Sequence, residues 1–368
     1  LAAAGPHDTR VTVRAAVLLM LLPATGAVAQ EVFQSEKKLK VQVEGLFRQE
    51  WTTHLFQGAP DLDRRRGRLL PSARLTLGAL QLGAGGDFNY SSDVNVAANQ
   101  PLIRDNYDSR DARLDLAFAR VDAGWIDVTA GRIEMPIALT EMIWDRDLRP
   151  QGGALTVALR DRGSLQRLAV TALGARGSHV FDDEDTTLLA GAMDATFGLS
   201  EDWRLQLVGS FLTFRDPDEL EAKIRRQNTR VAGAIVRDYD VVDAIVRFRR
   251  QGAFPVQLVA DGCLNTAADD RNRGLWLALV LGSTESSRAR FEYVYAFVDP
   301  DATLGAYPSD DFFWTTGWAG HKADLGVGIG SHIALHAVGQ LQRFKDSPRP
   351  EERDNWVRRL RLEIRLKS

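Results

Sequence analysis

The sequence predicts an all-β chain: a transmembrane up-and-down antiparallel β-barrel of sixteen strands. Three observations predict it. The dominant hydrophobic period is two, not the 3.6 of a helix. The segments that carry it are each about as long as the 9–11 residues a tilted membrane strand needs, or somewhat longer. The connections between them alternate along the chain between long and short, as a barrel with external loops on one side and tight turns on the other requires.

Composition is consistent with this fold and excludes several others. The chain has 368 residues, a formal net charge of -3, 45% hydrophobic and 26% charged residues, and a mean hydropathy of -0.20. A disordered chain would carry fewer apolar residues and a larger net charge. Cys263 is the one cysteine, so neither a disulfide framework nor a cysteine zinc cluster can form. A net charge near zero supplies no basic field for nucleic acid. After residue 29 no run approaches the ~18 apolar residues of a spanning helix. Strands that face lipid on one side and water on the other reconcile a mildly polar average with a membrane location.

Residues 1–29 read as a signal peptide. Arg10 and Arg14 precede the apolar stretch from Ala15 to Leu22, and Ala27-Val28-Ala29 forms an A-x-A cleavage site before Gln30. Residues 30–38 form a short N-terminal segment, and 39–368 the barrel.

The strands follow in order. Segment 39–55 places Leu39, Val41, Val43, Phe47 and Trp51 opposite Lys40, Gln42, Glu44, Arg48 and Glu50. Segments 68–79 and 81–90 meet at a turn around Leu80, and 110–121 and 125–134 at Asp122-Ala123-Gly124. Next come 153–160 and 165–175, then 188–198 and 203–214, where Trp203, Leu205, Leu207 and Phe211 oppose Arg204, Gln206 and Ser210. Residues 230–236 have strand-like composition, but a strand there breaks the parity, so they are assigned to a loop. Segments 240–250, 254–264, 274–283, 288–298, 320–329 and 332–345 continue the pattern. The last, 354–367, is the clearest: Trp356, Leu360, Leu362, Ile364 and Leu366 share one face, and Arg359, Arg361, Glu363, Arg365 and Lys367 the other. An even strand number puts both ends of the barrel on the periplasmic side. Trp125, Trp203 and Phe254 beside short turns, and Trp51, Tyr90, Phe297 and Trp356 near long loops, match aromatic girdles at two interfaces.

Three stretches resemble a known family, the putative porins of Gram-negative outer membranes, distant relatives of phosphate-selective porins. Gly131-Arg132-Ile133-Glu134-Met135-Pro136, followed by Ile143-Trp144-Asp145-Arg146-Asp147-Leu148-Arg149-Pro150-Gln151-Gly152, is similar to the family's G-R/K-x-x-x-P then L-W-D-x-D-L-x-P-x-G signature. Asp299-Pro300-Asp301-Ala302 through Pro308-Ser309-Asp310-Asp311-Phe312 resembles its D-A-x-L then D-S-D-F segment, and Asp261 to Asn265 gives a third point of likeness. The chain departs from the family in ending Arg365-Leu366-Lys367-Ser368 without a terminal aromatic residue. The resemblance implies an outer-membrane porin that passively conducts small hydrophilic solutes or ions, a homotrimer in outer-membrane lipid, no catalysis and no cofactor. It also implies that the third long loop, 135–152, folds inward and narrows the pore. Asp145, Arg146, Asp147 and Arg149 there are opposed charges suited to a transverse field.

Strand phase assigns candidate pore-lining residues: Lys40, Arg48, Arg74, Arg113, Arg132, Arg247, Arg290, Arg359, Arg361 and Arg365. With Arg68, Arg204, Arg249, Arg288, Lys322 and Lys367 the basic positions number sixteen, against ten acidic ones: Glu44, Glu50, Asp87, Asp115, Asp127, Asp243, Asp261, Glu292, Asp324 and Glu363. Such an excess favours anions; the alternative is a balanced lumen whose ion pairs brace the wall. The near-zero total then conceals a split between a basic-leaning lumen and acidic loops such as 182–185 and 299–311. His332 and His336 lie ~13 Å apart on a strand, too far to share a metal ion. Asp182-Asp183-Glu184-Asp185 lacks the spacing of a calcium loop. No hydrolase, metalloprotease, P-loop or dinucleotide fingerprint is present. The competing class is an outer-membrane barrel with an enzymatic or adhesive role and no open channel.

Overall fold

The computed structural model describes residues 37–53, 61–92, 112–177, 186–220, 228–235, 238–312, 316–345 and 355–367. The signal-peptide reading and the acidic run 182–185 lie outside them. Among the described residues are sixteen barrel strands: β1 Lys37–Thr53, β2 Leu62–Leu77, β3 Leu80–Ser91, β4 Ala112–Asp122, β5 Ile126–Arg132, β6 Gln151–Arg162, β7 Leu165–Arg176, β8 Thr187–Gly198, β9 Trp203–Arg215, β10 Tyr239–Arg250, β11 Val256–Asn265, β12 Arg273–Ser283, β13 Ala289–Val298, β14 Trp318–Ile329, β15 Ile333–Phe344 and β16 Trp356–Lys367. Each pairs antiparallel with its neighbours in sequence. The sheet closes where β1 meets β16, with Arg48 opposite Glu363 and Glu50 opposite Arg361. Closure leaves no edge strand. The expectation that 230–236 adds no barrel strand holds, since Arg230–Val231 and Ala234–Ile235 form only a small separate ladder.

Side-chain alternation gives the barrel two surfaces. Leu39, Val41, Phe47, Leu360, Leu362 and Ile364 are exposed on the outside, while Arg48, Glu50, Arg359, Arg361 and Glu363 between them are buried inside. In a bilayer the outward set is the lipid-facing belt. Trp125 and Phe254 by short turns, and Tyr90 and Trp356 by long loops, are exposed at its two rims.

Two strands differ from expectation in an informative way. The second begins at Leu62, not 68. Its first residues pair with β1 (Arg64 with Glu50, Arg66 with Arg48), so three consecutive arginines that read as loop belong to the wall. The fifth ends early, at Arg132. Gly131 there has φ +125°, and a Cβ on it would sit 2.2 Å from the Ala117 carbonyl oxygen. Glycine permits both the positive φ and the close approach. Ile133 N–H then donates to the Pro150 carbonyl at 3.0 Å and closes the neck of the loop that follows.

Candidate functional site

The interior is not an empty cylinder. Loop 133–150 folds inward, as the resemblance implied, and buries Ile133, Ile137, Met142, Ile143, Trp144 and Leu148. A second loop segment, residues 299–312, folds in beside it, which corrects the expectation of an acidic external loop there. Ala302, Leu304, Ala306, Tyr307 and Phe312 are fully buried, together with Asp301 and Asp310. Burying each such large side chain contributes about 1.5–3 kcal/mol, and these residues join the wall positions Leu188, Leu212, Phe214, Tyr239, Val241 and Val298 in one cluster. At these positions the inner wall is therefore apolar, because the loops cover it.

The loops lock to each other through aromatic rings. Tyr307 stacks on Trp144 (5.0 Å between centroids, 3° between planes) and on Phe214 (5.2 Å, 16°). Its hydroxyl shares a hydrogen bond with Thr186 at 2.7 Å. Between the loops, Asp145 N–H donates to the Tyr307 carbonyl at 2.7 Å and Ser309 N–H to the Glu141 carbonyl at 2.9 Å. The base of the second loop is held by Asn228, whose amide donates to the Pro300 and Thr303 carbonyls and whose oxygen accepts from Gly305 N–H. Arg247 holds the tip of the first loop by donating to the Ala138 and Leu139 carbonyls at 3.0 and 3.3 Å. Thr140 donates to Asp261 beside it.

Open space remains on the opposite side. A recess of about 390 Å³ lies between the loop tips and the wall of β13, β14, β16, β1 and β2. Its rim carries nine basic residues (Arg48, Arg66, Arg68, Arg146, Arg290, Lys322, Arg361, Arg365 and Lys367) and seven acidic ones (Glu44, Glu141, Asp145, Asp147, Glu292, Asp311 and Asp324). Toward the short turns a second recess is bordered by Arg74, Arg120, Arg160 and Arg167 with Asp122, Asp127 and Glu134.

Most wall charges are engaged. Arg48 meets Asp311 and Glu363, both at 2.7 Å. Arg361 meets the same two at 3.1 and 3.2 Å. Arg365 pairs with Glu363 at 2.6 Å and Arg359 with Glu50 at 3.5 Å. Arg113 holds Asp87 at 2.7 Å, Arg290 reaches Asp324 at 3.2 Å, and Lys322 bridges Glu141 and Glu292. Arg74 pairs with Glu134 at 3.0 Å near the short-turn end, where the exposed Lys40 is its partner in register. Asp311 belongs to the inward loop. Its enclosure alone would raise its pKa, but the Arg48 and Arg361 guanidiniums, with Arg66 behind them, hold it well below the usual carboxylate range.

Two further candidates hold backbone carbonyls of their neighbours. Arg132 donates to the Asp115 carbonyl at 3.0 Å, and Arg247 is covered by the loop it anchors. The four loop candidates also divide. Arg146 projects freely, its side chain 86% exposed, with Glu141 3.8 Å away. Asp147 bridges to Arg68 of the wall. Asp145 is instead a buried cap, accepting from the N–H groups of Asp147 and Asp310. Arg149 ties the loop base to Asp115 at 3.1 Å. The motif that resembles the family signature thus codes mainly for a loop conformation. Gly152 fits this too, since a Cβ there would lie 2.2 Å from the Gly174 carbonyl oxygen.

Sequence singles out neither Arg64, Arg66, Glu141 nor Tyr307, and it marks Asp310 and Asp311 only as part of the motif at 308–312. His332 and His336 have separate partners, the Lys367 carbonyl and Asp324. Among the described residues no group of three His, Cys, Asp or Glu side chains is placed to hold a metal ion.

Residues 89–284, more than half of the chain, match the family model described as "Putative porin". No curated protein sequence matches the chain. Among solved structures, OmpF of Salmonella typhi in a complex with daunomycin is similar with a TM-score of 0.54 at 12% identity, over 90% of this chain and 98% of that one. A triple mutant of Rhodopseudomonas blastica porin gives 0.50 at 11%, over 90% and 100%. OccAB1 of Acinetobacter baumannii gives 0.50 at 12%, over 90% and 96%. At these identities the likeness is one of fold.

Proposed function

Because this chain belongs to the putative porin family, and is thus an outer-membrane channel for the passive diffusion of small hydrophilic solutes, we propose that it is a narrow, mildly anion-preferring member. The observation that carries the preference is the rim of the main recess, with nine basic residues against seven acidic. Arg146 and Lys367 in that rim present well-exposed cations. A small excess in a low-dielectric wall biases which ion enters without excluding the other. Because most wall arginines are paired with carboxylates, the bias is weak. Reversal potentials of the purified protein in planar bilayers under a KCl gradient test it. A modest shift toward the chloride potential is expected, and a clear potassium preference would overturn it.

The channel reading leaves no task for an enzymatic centre. We extend it to export through removal of residues 1–29, checked by the mass of the mature chain. We also extend it to a homotrimer. Small outward residues of β2 and β3 (Pro71, Ala73, Ala84) border a shallow apolar groove with Val41, Phe88 and Leu114 that suits contact with a second copy. A monomeric mass in mild detergent counts against the trimer.

A further inference from the structure

Asp311 leaves the second inward loop and ends between two arginines of the wall. Its Oδ1 accepts from Arg48 Nη1 at 2.7 Å and from Arg361 Nη1 at 3.1 Å. The burial is asymmetric. The Arg48 and Arg361 side chains are 2% and 3% exposed, while that of Asp311 is 39% exposed. The guanidiniums therefore lie behind the carboxylate, which itself borders the recess.

The loop does not depend on this carboxylate for its position. The Asp311 carbonyl accepts from Gln340 Nε2 at 2.6 Å and again from Arg361 Nη1 at 2.9 Å. The Asp310 carbonyl accepts from Arg359 at 3.2 Å, and Gln342 donates to the Phe312 carbonyl. Phe312 packs edge-on against Trp276 at 5.4 Å. The backbone and its neighbours dock the loop; the Asp311 side chain supplies an anion to a cationic site. Without it, Arg48 and Arg361 keep only Glu363 in common, at 2.7 and 3.2 Å. Two buried guanidiniums facing one carboxylate demand another counter-ion. A planar guanidinium fork matches a carboxylate better than it matches a spherical halide.

We propose that the Arg48–Arg361 pair is a subsite for the carboxylate group of a permeating solute, and that Asp311 is its tethered resident ligand, which competes with the solute and tempers anion selectivity. The proposal rests on the channel reading above. A tethered group is present at a high effective concentration, so the parent channel responds to free carboxylate only weakly.

The test is block of chloride current by benzoate in planar bilayers, with inorganic phosphate and benzylammonium as comparison probes. In Asp311→Ala the half-blocking benzoate concentration should fall on the order of tenfold or more, the gain of a charge-assisted bidentate contact. Asp311→Asn, which keeps the side chain's shape, should fall in between and guards against a folding defect in the alanine variant. Adding Arg361→Met to Asp311→Ala should abolish the gain. Equal benzoate block in parent and variants, equal block by benzylammonium, or stronger block by phosphate than by benzoate would each overturn the subsite while leaving the channel intact. Absence of conductance from parent and variants alike would overturn both readings.

Discussion

Replacing Tyr307 by alanine should release the two inward loops and widen the channel. The ring is fully buried between Trp144 and Phe214, and truncating a buried large aromatic costs about 3–5 kcal/mol. Its two stacked contacts each add about 0.5–1.5 kcal/mol beyond area burial, and the bond to Thr186 about 1 kcal/mol. Part of this loss returns as the loops relax, so a net of roughly 4–5 kcal/mol falls on loop docking. The barrel wall, with its own hydrogen-bonded ladders, is spared most of it. At 1.4 kcal/mol per factor of ten, the undocked population should rise about a thousandfold. Single-channel recordings should show larger mean conductance and greater open-channel noise, and vesicle swelling should admit larger sugars. Tyr307→Phe keeps both stacks and loses only the hydroxyl, so its effect should be about tenfold or less in population. A folded Tyr307→Ala channel with parental conductance, noise and size limit would refute the claim that this ring locks the loops.

Other outcomes follow from the same geometry. Arg146→Ala should change conductance or selectivity while leaving the unfolding free energy from urea titration within about 0.5 kcal/mol of parent, because the side chain is largely exposed. Arg149→Ala should instead lower stability by about 1–3 kcal/mol by leaving Asp115 buried without that partner; the reverse pattern would contradict the assignment of roles. Gly131→Ala should cost at least about 1–3 kcal/mol through strain at positive φ, read as a lower denaturation midpoint or less folded barrel, and parental stability would show that the close approach to Ala117 is not limiting. Asp311 has a depressed pKa, so its pairing with Arg48 and Arg361 is complete above the ordinary carboxylate value and is lost only as pH falls through the lower folded value. Ion selectivity should then hold steady between about pH 8 and pH 5. A reversal-potential shift in that window that disappears in Asp311→Ala would refute this.

The strands were legible because a closed barrel imposes a period of two on every segment, and because alternating loop lengths fix which way each one runs. Where the legibility stopped, the physical reason is local. Arg64, Arg65 and Arg66 carry no hydrophobic alternation, so their alternation only becomes visible against a partner. Opposite β1, Arg64 reaches Glu50 at 3.2 Å from inside, while Arg65 bonds Gln49 on the other face. Loop 135–152 was placed inside by resemblance, not by periodicity, since a loop has no phase to read. Segment 299–312 had one available signal: Leu304, Tyr307 and Phe312 make it too apolar for a solvated cap. Its aspartates obscured that signal. Asp301 is consumed by Thr229 and Tyr239, and Asp310 is buried at the loop junction.

That reassignment changes what the charge count means. Sixteen basic and ten acidic positions on the strands suggested a surplus facing water. Sequence phase counts wall residues only, however, and two loops bring Glu141, Asp145, Asp147, Asp310 and Asp311 into the same space. Loop carboxylates thereby add second partners to arginines that already hold wall acids: Asp147 joins Asp87 at Arg68, and Asp311 joins Glu363 at Arg48 and Arg361. Wall and loops are separate parts of the chain, so their charges can be altered independently. Removing a loop carboxylate leaves the barrel ladders intact and exposes a cation to the pore, whereas removing a wall arginine such as Arg64 or Arg359 takes a partner from the fully buried Glu50 and weakens the wall. Selectivity in this architecture is therefore more readily adjusted from the loops than from the strands.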